Sequence, residues 1–83
     1  MPEDEAPKSA YEIILERLKK KDRIAEVRRV YEARLAEREI LHQSSRRKAP
    51  DLEALDRLEE EYRRDRERIT SERDRKLDEA RKD

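Results

Sequence analysis

Gln43-Ser44-Ser45-Arg46-Arg47-Lys48-Ala49-Pro50-Asp51 is the stretch where a long run of helix-favouring residues gives way to clustered polar residues and a proline. Pro50 disfavours helical geometry at Ala49 but is tolerated in a first helical turn. Asp51 suits a helix N-terminus, both as a cap and by its charge. The stretch therefore reads as a hinge over residues 45–50, with a helix over 9–44 before it and a second over 51–82 after it. Upstream, Ser9-Ala10-Tyr11-Glu12 has the form of a capping box, in which the serine oxygen and the glutamate satisfy otherwise orphaned backbone donors. Residues 1–8, with Pro2, Pro7 and the acidic run Glu3-Asp4-Glu5, show no apolar period and read as a disordered N-terminal tail. The domain proper is then 9–83, and no strand signal occurs in it.

The apolar pattern turns these two helices into a hairpin. At about 100° per residue, Leu52, Leu55, Leu58, Tyr62, Ile69, Leu77 and Ala80 fall within an arc of about 120°, one amphipathic face. Ile24, Val27, Tyr31 and Leu35 form a comparable stripe on the first helix, with Val30 and Leu41 at its edge. Folding the chain back at the hinge pairs Leu41 with Leu52, Leu35 with Leu58, Tyr31 with Tyr62 and Ile24 with Ile69, each pair of numbers summing to 93. The expected fold is all-α, an antiparallel, coiled-coil-like hairpin with its seam at Ile24, Tyr31, Leu35, Leu58, Tyr62 and Ile69. Spacings also repeat at eleven, through Ile13, Ile24 and Leu35 and again through Leu58, Ile69 and Ala80, which favours nearly straight or slightly right-handed packing over a left-handed heptad coil. Opposite charges four apart, Glu59 with Arg63, Glu60 with Arg64 and Glu72 with Lys76, are expected to support each helix by about 0.2–0.5 kcal/mol per pair.

Tyr11, Ile14, Leu15 and Leu18 do not join the seam, because in a straight helix they point away from the Ile24 stripe. Lys19-Lys20-Lys21-Asp22 marks the change of face. Either the helix breaks there or the four residues meet another molecule, and they are the expected partner interface. Of 83 residues, 55% are charged and only 33% apolar, against about 25% and 45–50% in an ordinary domain. So thin an apolar complement favours self-association, most simply as a homodimer of hairpins forming a four-helix bundle, or docking onto another helical protein.

The same composition narrows the chemistry. With no Gly there is no glycine-rich phosphate loop, and with no Cys there is no disulfide, thiolate or sulfur-ligated zinc. Twenty-three basic and twenty-three acidic side chains cancel, so no general field draws the chain onto nucleic acid or anionic lipid. Ile13-Ile14-Leu15 is the longest strongly apolar run, far below the ~20 residues of a membrane span. The expected setting is cytoplasmic, without membrane contact. One histidine, no cysteine and carboxylates on open helix faces imply no enzyme, cofactor or small-molecule substrate.

Two motifs carry alternative readings. Arg46-Arg47-Lys48 forms a basic tip able to touch nucleic-acid phosphates, although no aromatic residue is interleaved for base stacking. Glu39-Ile40-Leu41-His42 is an E-x-x-H motif that a symmetric dimer would duplicate into a metal site. The plainer reading makes His42 a solvent-facing or hinge-capping side chain near the helix C-terminus. The reading that takes in most of the sequence is a non-enzymatic protein–protein interaction or scaffolding module that self-associates through helix faces.

Overall fold

The computed structural model describes residues 8–82 and consists of two helices, α1 (Ala10–Arg47) and α2 (Leu52–Arg81), packed against each other. No strand occurs among the described residues. The tail expected over 1–8 lies, apart from Lys8, outside them. Both helices start on the caps legible in the sequence. Ser9 Oγ accepts from Glu12 N at 3.2 Å, and Asp51 Oδ1 accepts from Ala54 N at 2.8 Å, each satisfying an amide with no intrahelical partner.

Helix α1 runs past the expected end at Ser44, through both serines, to Arg47. Its last carbonyls are taken up by a tightened turn, Lys48 N to Ser45 O at 3.1 Å and Ala49 N to Arg46 O at 3.2 Å. The hinge therefore shortens from 45–50 to 48–51. Serine alone does not stop a helix whose neighbours are all good formers, whereas Pro50 removes an amide and does. At the other doubtful point, Lys19 to Asp22, α1 is unbroken.

The longer α1 moves the turn toward the C-terminus, and the pairing moves with it. Arg38 meets Asp65, His42 meets Tyr62 and Arg34 meets Glu72, pairs whose numbers sum to 103, 104 and 106. These sums fix an antiparallel hairpin one eleven-residue repeat away from the expected 93. Tyr62 consequently stacks on His42 and not opposite Tyr31, and Leu35 comes level with Ile69 and Ile24 with Ala80. Leu41 and Leu52, expected to face each other, are both exposed, Leu52 at 78%. The reason is positional, since Leu52 now stands at the connection where no α1 residue is level with it, and both lie at the edges of their stripes.

The six seam residues named from the sequence lie on the packed side. Tyr31 is buried at 4% exposure, and Ile24, Leu35, Leu58, Tyr62 and Ile69 are half-buried. Leu77 and Ala80, buried on α2, continue the seam to its far end. The molecule is a rod of 71 × 22 × 11 Å.

The register has a direct test. Spin labels at Arg28 and Lys76 are level in this register, while Arg28 and Arg64 are separated by about 18 Å along the axis. Pulsed dipolar spectroscopy is expected to give the shorter distance for Arg28 with Lys76; the opposite order would place the hairpin in the 93 register.

Candidate functional site

Two surfaces stand out, a polar and aromatic layer inside the hairpin and an apolar patch outside it. The layer is built around Tyr62, whose ring stacks on His42 with centroids 4.1 Å apart and planes within 3°. The Arg38 and Arg66 guanidinium carbons lie 5.3 and 5.6 Å from the same ring, within cation–π range. Arg38 Nε donates to Asp65 Oδ2 at 2.8 Å across the helices. Glu59 reaches α1 twice, 3.3 Å from His42 Nε2 and 2.9 Å from Arg46 Nε. One turn-pair further along, Arg34 sits over the Tyr31 ring at 4.9 Å and 3.7 Å from Glu72.

His42 is thus not the solvent-facing or capping residue expected from its place near the helix end. It is 5% exposed because α1 continues past it and Tyr62 covers its face. Its Nδ1 is buried without a hydrogen-bond partner. Glu59 and Glu72, expected to pair along their own helix with Arg63 and Lys76, turn across to α1. Arg63 bonds Glu60 and Glu67 in their place, at 2.6 and 2.7 Å, and Lys76 lies 3.7 Å from Glu79. Glu60 does pair with Arg64, at 3.1 Å. Sequence reasoning missed the cross-helix roles of Arg34, Arg38, Glu59, Asp65 and Glu72. The signal that would have found them is the sum near 104, which aligns opposite charges as well as apolar residues.

Electrostatics follows the geometry. The Arg38 hydrogen bond, aided by Arg68, holds the Asp65 carboxyl below the usual aspartate value. Arg63, with help from Arg64, does the same for Glu60, and Glu60 in turn raises the Arg63 guanidinium. Among the described residues no group of three or more His, Asp or Glu side chains is arranged to hold a metal ion, and within one chain Glu39 and His42 gain no third donor. The basic tip is divided: Arg46 is engaged by Glu59, while Arg47 and Lys48 are exposed. No helix among the described residues is long and apolar enough to cross a membrane.

The second surface is the N-terminal end of α1. In the observed register Arg81, the last residue of α2, is level with Arg23, so residues 10–22 extend beyond the hairpin as an overhang. There Tyr11, Ile14, Leu15 and Leu18 are exposed, Tyr11 at 74%. Because α1 is continuous, the four lie on one side of it, turned away from the α2-facing stripe. Ile13 prolongs that stripe past the end of α2 and is also exposed.

Two measurements probe the layer. His42→Ala removes the ring stacked on Tyr62 and is expected to cost about 2 kcal/mol. His42→Phe keeps the stack but deletes both the orphaned Nδ1 and the Nε2 contact to Glu59, and is expected to melt close to the wild-type temperature and above His42→Ala. A carboxyl whose pKa is depressed on folding adds stability above its unfolded value and loses it as pH falls through the folded one. The melting temperature is therefore expected to hold steady down to pH ~5 and to decline below about pH 4, near the unfolded aspartate value. Asp65→Asn should melt lower at neutral pH and show a shallower acid decline; an unchanged acid limb would mean that Asp65 adds nothing to the fold.

Comparison with family models, with curated proteins and with solved structures gives no match, so what the molecule does has to be read from its own surfaces.

Proposed function

We propose that the chain is a non-enzymatic interaction module whose hairpin serves as a stiff handle and whose α1 overhang is the adhesive end, self-associating through a helix face. The observation that carries this reading is the cluster Tyr11, Ile14, Leu15 and Leu18, four large apolar side chains exposed on one helix face beyond the end of α2. Exposed apolar residues such as Val30, Ile40, Leu41 and Leu52 also occur on the hairpin body, but the overhang sets four at i, i+3, i+4, i+7 on one helix face, and a patch of that kind calls for explanation. The body of the hairpin offers less to a partner, since its outer faces are dominated by Arg, Lys, Glu and Asp paired along and across the helices.

The spacing of the patch supports helix-on-helix docking. Positions 11, 14, 15 and 18 follow the i, i+3, i+4, i+7 pattern by which one helix presents a narrow stripe to another. A contact of this length buries less than the ~1,200 Å² of a stable standard interface, so association in the micromolar range is the expected regime.

Analytical ultracentrifugation tests the reading. The wild-type chain is expected to associate over tens of micromolar, and Ile14→Glu combined with Leu18→Glu is expected to remain monomeric. Since both residues lie outside the seam, the double variant should unfold within about 0.5 kcal/mol of the wild type. A wild-type chain that stays strictly monomeric at high micromolar concentration while cooperatively folded rejects self-association.

A further inference from the structure

Resting on the reading of the overhang as a self-associating surface, we infer that two copies join overhang to overhang in antiparallel fashion, giving an end-to-end dimer with the two hairpins pointing in opposite directions. The occupant of the patch is a second copy because the patch suits its own reverse. A two-fold contact between antiparallel helices requires residue i to meet residue j and j to meet i. Positions 11, 14, 15 and 18 are symmetric about their midpoint, so reversal sets Tyr11 against Leu18 and Ile14 against Leu15.

Charge selects the direction. Glu12 and Lys19 lie on the same flank of the exposed stripe at ~100° per residue. In an antiparallel two-fold pair the same flank of each helix adjoins, so Glu12 of each copy comes beside Lys19 of the other and the contact occurs twice. Parallel pairing makes opposite flanks adjoin and forfeits both of these contacts.

The overhang's shape favours this arrangement over the side-by-side four-helix bundle. Helix α2 lies on the other side of α1 and stops level with Arg23, so it does not obstruct a helix arriving on the Tyr11 side. Beyond Leu18 the same face of α1 carries Asp22 and Arg29, both exposed, which end the apolar contact within the overhang. Two rods of 71 Å overlapping by an overhang of about 20 Å make a particle about 120 Å long, whereas a bundle would stay near the length of one rod.

The experiment combines small-angle scattering with charge reversal on the full chain. The dimer is expected to have a maximum dimension of about 120 Å. Glu12→Lys and Lys19→Glu should each weaken dimerisation by about tenfold, and the double variant should return close to wild type. A dimer no longer than one hairpin overturns the end-to-end arrangement. A double variant as weak as either single one overturns the antiparallel direction, and growth beyond the dimer indicates head-to-tail contacts and overturns the two-fold. Each of these outcomes leaves self-association standing. A strict monomer removes both.

Discussion

The ring of Tyr62 lying flat on His42, with Arg38 clasping Asp65 beside it and Glu59 bridging to Arg46, is the constraint from which the rest of the molecule follows. Two stripes of apolar residues repeating every eleven positions can slide past each other by one repeat and still bury leucine against isoleucine. Apolar burial is non-directional and cannot choose between such registers. The polar pairs can, because a slip of eleven would separate Arg38 from Asp65 and His42 from Tyr62 at once. His42 is buried and Tyr62, Arg38 and Asp65 are half-buried, while Glu59 and Arg46 are exposed; polar contacts of this kind add modest net stability, and their best-attested role is to specify alignment.

The layer acts together with the connection. Helix α1 continues to Arg47 and is followed by a turn at 48–51, stopped by Pro50 and restarted by the Asp51 cap. A turn this short admits little freedom in where α2 begins. Register and turn jointly determine where α2 ends alongside α1, and so how much of α1 is left over. The exposed end of α1 is therefore a product of the interior packing as well as of its own sequence.

Much of this was legible in the chain itself. Ser9 and Asp51 announced both helix starts, the absence of glycine and strand patterns announced the class, and the stripes announced which residues face inward. The register was not legible from apolar residues, for the reason given above: Leu35 fits Leu58 and Ile69 equally well. Helix α1 outruns the end that its serines suggest, because Ser44 and Ser45 weaken a helix without ending it when hydrogen bonds and neighbours continue on both sides. His42 is buried as a consequence, since a residue near an expected helix end is exposed only if the helix does end there. The cross-helix partners of Glu59 and Glu72 are hidden in the sequence because same-helix partners at i+4 are always available in so charged a chain, and local spacing gives no hint of a partner on the other helix. The divergent face of Tyr11, Ile14, Leu15 and Leu18, by contrast, was readable from angular position alone, and the unbroken course of α1 leaves it on the far side from α2.

An isolated helix shorter than about 12–15 residues is marginal in water, because its first turn is costly to nucleate and nothing packs on it afterwards. Residues 10–22 are close to that limit and have only their junction with the supported part of α1 to keep them wound. Backbone amides there should exchange with solvent sooner than those flanking Tyr31, because the helix opens more easily where nothing packs on it. Any surface that docked along this segment would bear the cost of the end freedom it removes, so the proposed joint would be weaker than its contact area alone implies.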